Sequence, residues 1–146
     1  MKDVVDQLTI TAVPPAVVDV VWPDVAPMLE KAIATADGRY SLESVYNEFV
    51  DGGLALWVVL DDATPIAALT TRVVDFPCKR VLSVDWIAGS RMAEWLPHAN
   101  DVFSDYAKSY GCSQIEGRGR KGWLRELTKH GWELDYMAYR MELNDG

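Results

Sequence analysis

Within a few residues the chain sets down a carboxylate, a glycine, a hydroxyl and a cation: Asp85, Gly89, Ser90 and Arg91. Such a set could hold an anion and move a proton. Val81 to Ala88 reads as an apolar strand and the residues after Ser90 as a helix, so Gly89-Ser90 is a turn at a helix start. Helix N-termini attract anions because their first amides lack partners and the peptide dipoles add up there. Gly89 would let a phosphate approach, and Arg91 would add charge. The same residues also suit a plain capping turn that serves only the helix. Function is to be sought between Trp86 and Met92.

Proton transfer narrows to few groups. Asp85 lies between Val84 and Trp86, where desolvation would favour a base, although strand alternation can instead turn it outward. Glu116, on the next expected strand (Ser113 to Glu116), is a second carboxylate, with an ion pair to Arg118 or Arg140 as its plain alternative. His98 and His130 make no pair, and His130 beside Lys129 suits a helix C-terminus. Cys78 and Cys112 have no C-x-x-C spacing and no neighbouring histidine, so no metal site is expected and reduced thiols in a cytoplasmic protein fit best.

Charge limits the partners. The chain has 146 residues, with 14 Lys and Arg against 22 Asp and Glu, a net charge of -8. That disfavours nucleic acid. The exception is a local run, Arg118, Arg120, Lys121, Arg125 and Lys129 with only Glu126 opposed, which is either a solvated helix face or an anion-seeking patch. The amino terminus has no signal-like apolar core, and no apolar run is long enough for a membrane span, so a soluble cytoplasmic domain is expected.

The elements that must position these residues follow from periodicity. Leu8 to Ala12 alternates as a half-buried strand, ended by Pro14-Pro15. A short helical segment over Pro15 to Trp22 is expected, then a better helix opened by Pro23 and Pro27, with Val25, Met28, Leu29, Ala32 and Ile33 as its buried stripe and Asp37-Gly38 as its stop. Ser41 is the expected cap of a second helix ending at Gly52-Gly53. Leu54 to Leu60, Ile66 to Asp75 and Lys79 to Ala88 read as a three-strand meander. A crossover helix then runs from about Ser90 to Tyr110, which lets the strands before and after it lie parallel. A short helix from about Trp123 to His130 and an alternating strand from Trp132 to Leu143 close a single domain.

This order, β-α-α-β-β-β-α-β-α-β in a mixed α/β arrangement, together with Leu127-Thr-Lys-His-Gly131-Trp132-Glu133, resembles the GNAT N-acetyltransferase superfamily. Gly38-Arg-Tyr40, Trp86-Ile-Ala-Gly89 and Gly119-Arg-Lys-Gly-Trp123 also look like small GNAT-like proteins of tailed phages and prophages. The resemblance implies that Trp86, Ile87 and Ala88 offer backbone groups to the pantetheine arm of acetyl-CoA, with Gly89, Ser90, Arg91 and Met92 near its phosphates. It implies acetyl transfer to a primary amine, or a scaffold that has lost catalysis and works through protein contacts, as a phage accessory or virion component. The family's Arg/Gln-x-x-Gly-x-Gly/Ala loop is absent, and its acid tyrosine falls at Leu127, which cannot donate a proton. Tyr136 or Tyr139 would have to substitute, unless both are packing residues. The final hairpin is cut short after Leu143, leaving a sheet edge that a homodimer or another protein could cover.

Overall fold

The computed structural model describes residues 8–36, 38–118 and 121–143, without the side chain of Lys121. The expected breaker Asp37 and the loop residues Gly119 and Arg120 lie outside that range, as do the amino terminus to Gln7 and the last three residues.

Among the described residues there are nine regular elements and two single-turn helices. The strands are β1 (Leu8–Val13), β2 (Ala55–Asp61), β3 (Thr64–Phe76), β4 (Lys79–Gly89) and β5 (Gln114–Gly117). The helices are α1 (Val18–Ile33), α2 (Leu42–Asp51), α3 (Met92–Ser109) and α4 (Lys121–Thr128). One sheet runs in the order β1-β2-β3-β4-β5. Its first three pairings are antiparallel and the β4–β5 pairing is parallel, as a crossover through α3 requires.

α1 corrects the expectation of two helical pieces. It runs unbroken through Pro23 and Pro27, because both prolines are exposed and the carbonyls they leave without amide partners can turn to water. Val18, Val25, Leu29 and Ile33 are all buried on its other side. At roughly 1.5–3 kcal/mol each, that burial outweighs two missing bonds.

Ser41 caps α2 as expected: its hydroxyl accepts from the Ser44 amide at 3.0 Å, and the Ser44 hydroxyl accepts from the Ser41 amide at 2.9 Å. Gly52 ends the helix at φ 81°. A Ser41→Ala chain is expected to lose about 1 kcal/mol, read as a lower thermal midpoint with an unchanged circular dichroism spectrum.

The sheet divides two cores. On one face α1 and α2 cover Leu56, Val58, Ala68 and Ala88. On the other, α3 covers Trp57, Val59, Leu69, Leu82 and Val84, with Trp95 and Phe103 filling the middle. Trp57 keeps its indole N–H satisfied there by donating to Thr71 Oγ1 at 2.9 Å.

The expected closing strand is absent. Residues 132–143 have no regular secondary structure, and Leu134, Tyr136, Met137, Tyr139, Met141 and Leu143 are exposed. Alternation marks a segment able to be a strand, but a strand also needs a neighbour for its backbone, and among the described residues none pairs with it.

Candidate functional site

β4 and β5 pair only from Val81↔Gln114 to Val84↔Gly117. Beyond Gly117 the fifth strand leaves, while β4 continues to Gly89 with β3 alone beside it. Among the described residues, the backbone of Asp85 to Gly89 therefore has no strand on its outer side.

The free edge opens into a cleft of about 400 Å³. One wall is the edge itself, from Ile87 to Ser90, with Ile66 below it. Pro27, Met28, Lys31 and Ala32 of α1 form the second wall, and Trp123 of α4 closes the third. Its volume and largely apolar lining are those of a small-molecule site. Trp132 does not enter this lining; its ring packs at the end of β5, 3.4 Å from where a Cβ of Gly117 would stand. Another hollow, of about 350 Å³, lies between α1 and α2, where the Tyr46 hydroxyl donates to Asp19, away from the strand ends.

A register slip lies beside the candidate base and turns Trp86, while Asp85 keeps the face of Ser83 and does not line the cleft. Leu69 pairs with Ile87 and Thr71 with Val84, so Thr70 alone faces both Asp85 and Trp86. In an unbroken strand Trp86 would share the face of Val84; instead it packs with the α1/α2 core, its ring edge-on to Tyr40 at 5.4 Å. Thr70 makes the slip tolerable, because its hydroxyl accepts from the Trp86 amide at 3.1 Å. Bulges of this kind recur beside active sites because they re-aim side chains.

Asp85 is largely buried, as one of its two readings had it, and both of its oxygens have polar neighbours. Ser83 donates to its Oδ1 at 2.6 Å, and Arg72 Nε lies 2.8 Å from its Oδ2, an ion-pair distance without the alignment of a hydrogen bond. Its side chain is 14% exposed. Glu116 is the register partner of Ser83 on β5, which brings it next to this group. Gln114 Nε2 donates to Glu116 Oε1 at 2.9 Å. Tyr136 is not brought to them in a regular element and stands 67% exposed.

The turn at the α3 start is largely committed to internal contacts. Gly89 has φ 111°, and a Cβ there would meet Ile66 O at 2.4 Å, so the close approach it permits is that of β3. The Ser90 amide donates to Ile66 O at 3.0 Å, and the Trp95 indole donates to Ser90 O at 2.8 Å. Arg91 takes the left-handed conformation at φ 63°. Its guanidinium reaches Glu94 at 2.7 Å and Asp61 at 2.6 Å. Those bonds, Glu94 first and Asp61 second, raise the arginine pKa above its ordinary value, and the bond from Arg91 lowers that of Glu94. The expected phosphate cation is thus already paired with two carboxylates. Met92 and Ala93, the first residues of α3, retain amides with no partner in the helix.

Sequence reading missed Lys31, Trp123 and Asn100. Lys31 borders the stripe of Met28 and Ala32, which was its only local signal. Asn100 donates to His130 O and accepts from Trp132 Nε1, both at 3.0 Å, tying α3 to the turn after α4. Gly131, at that turn, has φ 91°. Leu127 packs in the α3-side core, where the resembled family would carry its acid.

No family model matches the sequence, and no curated protein matches it. Solved structures do match. An aminoglycoside acetyltransferase from an uncultured soil metagenomic sample is similar over 97% of this chain and 100% of its own, at 11% identity and TM-score 0.71. A ribosomal-protein-alanine N-acetyltransferase from Brucella melitensis biovar Abortus covers 94% and 99%, at 15% identity and TM-score 0.66. Glucosamine-6-phosphate N-acetyltransferase from Arabidopsis thaliana covers 94% and 99%, at 13% identity and TM-score 0.64. With a mixed five-stranded sheet, a crossover helix and strands that part beyond Val84, the chain has the fold of the GNAT acetyltransferases.

Proposed function

We propose that the chain is an acetyl-CoA-dependent N-acyltransferase acting on a primary amine. The observation that carries this reading is the unpaired edge of β4 facing a 400 Å³ cleft. A pantetheine arm carries amides, and the Trp86 carbonyl together with the backbone groups of Ile87 and Ala88 that β3 does not use would pair with them as a missing strand does, the Trp86 amide being taken by Thr70. Gly89, Ser90, Arg91 and Met92 would approach the donor's phosphates, with the Met92 amide as donor and Lys31 as the cation on the opposite wall.

Asp85 is the proposed base and Glu116 a second proton acceptor beside it. A neutral amine nitrogen forms a bond to the thioester carbonyl carbon, and the carbon–sulfur bond breaks. The nitrogen's surplus proton passes to Asp85, and the sulfur leaves as a thiolate. A thiol of pKa about 8.5 leaves tolerably without an acid, which is compatible with Leu127 at the acid position.

A second reading, a GNAT-fold protein without catalysis that works through protein contacts, is favoured by the pairing of Arg91. Calorimetric titration separates the two. Binding of acetyl-CoA one to one is expected, with a dissociation constant inside the roughly 1 μM to 1 mM span of enzyme KM values and a change in tryptophan emission from Trp123. No heat and no emission change at millimolar acetyl-CoA leaves only the second reading.

A further inference from the structure

We propose that the acceptor is a free α-amino acid with an apolar side chain, its carboxylate held by the guanidinium of Arg72. This names the acceptor of the acyltransferase reading and rests on that reading. The starting point is an arginine on a central strand with little to hold. Arg72 Nε is buried and donates no hydrogen bond, although Asp85 Oδ2 lies 2.8 Å away. Nη1 and Nη2 reach solvent, and no described residue accepts from either. A structural arginine is ordinarily locked to its carboxylate by two parallel bonds, and a buried donor without an acceptor is costly. Here the side chain is 36% exposed and its outer fork stands open to an anion.

The neighbours say which anion. Thr71 accepts from Trp57 in the α3-side core, so Arg72 beside it faces the side of α1 and α2. Its register partner Ser83 lies between Leu82 and Val84 of that same core, so Ser83 faces with Arg72, as does Asp85 two residues on. The register slip then adds Trp86, which in an unbroken strand would point away. Its ring joins the α1/α2 core, edge-on to Tyr40, which is itself 39% exposed. One side of the sheet thus carries an open guanidinium, a carboxylate and an aromatic pair in adjacent positions.

An α-amino acid presents the three complementary groups on a single carbon. Its carboxylate suits the fork of Arg72, its amine the carboxylate of Asp85, and its side chain the rings of Trp86 and Tyr40. Spacing selects it further. Because the guanidinium and Asp85 stand 2.8 Å apart, an acceptor meets both at once only when its own two charges are as close together. A diamine or an amino sugar brings no anion for the fork. A lysine side chain within a protein brings an amine with no carboxylate beside it. Arg72 is therefore the residue that sets the acceptor, and Asp85 the one that takes the proton from it.

The test uses the full chain without acetyl-CoA, with tryptophan emission as the readout through Trp86. L-Phenylalanine and phenethylamine differ by the carboxylate alone. The amino acid is expected to bind about 10- to 100-fold more tightly, the range of charge-assisted hydrogen bonds to an arginine. Arg72→Gln should bring that ratio close to one, whereas loss of a merely structural ion pair would weaken both ligands alike. Should that chain not fold, Arg72→Lys keeps the charge without the fork and should lower the ratio about tenfold. Equal affinities in the native chain, no binding of either ligand at tens of millimolar, or a ratio that survives the substitution overturns the proposal. Acetyl-CoA binding without a preference for the amino acid removes this acceptor and leaves the transferase standing. The preference without acetyl-CoA binding keeps the amino-acid site and removes the transferase.

Discussion

A Gly89→Ala chain is expected to unfold roughly 10 °C below the native one. The added methyl would stand 2.4 Å from Ile66 O, 2.5 Å from Ala67 Cα and 2.9 Å from Ala67 Cβ. The first two are backbone atoms of a central strand, so no flexible side-chain end can move aside. A left-handed backbone costs an alanine about 1–2 kcal/mol, and overpacking about 1–3 kcal/mol more. For a domain of this size about 3 kcal/mol corresponds to that shift. Scanning calorimetry reads it directly. A midpoint within 2 °C or so of native would mean that β3 gives way, and that the tight β3–β4 contact is not what requires this glycine.

Replacing Asp85 by Asn should lower kcat/KM about 100-fold while leaving acetyl-CoA affinity within about threefold. Asparagine keeps the size of the side chain and can still accept from Ser83, but it cannot take up a proton. A change confined to turnover places the residue at the proton transfer. If turnover survives the substitution and only the thermal midpoint falls, Asp85 is the partner of Arg72 and nothing more. Glu116→Gln, one strand away, supplies the comparison: a similar loss there would assign the proton to Glu116.

Much of the fold was legible because its signals are local. The stripe Val25, Leu29 and Ile33 marked α1, the Ser41 cap marked α2, and Gly52 marked its end. The parallel crossover followed from a strand, a long helix and a second strand. Features that depend on residues far apart were not legible. The bulge at Asp85 and Trp86 exists because Thr70, on another strand, can satisfy the Trp86 amide. Arg91 read as a free cation, since nothing near it announces Asp61, thirty positions earlier.

The closing strand failed for a related reason. The alternation from Leu134 to Leu143 is genuine, but alternation records what a backbone could do with a neighbour. It does not record whether that neighbour belongs to the same molecule. The cleft shows the same division: Ile87 to Ser90 were foreseen as one wall, whereas Lys31 and Trp123 reach it from helices on opposite faces of the sheet.

The bonds from Arg91 to Asp61 and Glu94 carry a consequence for whatever occupies the slot. They leave the guanidinium little charge to spare, so phosphates resting at the mouth of α3 would depend on the Met92 amide and on Lys31 across the cleft. An occupant without phosphates would lose that part of the grip and be held by the carbons of Met28, Ile87 and Trp123 alone.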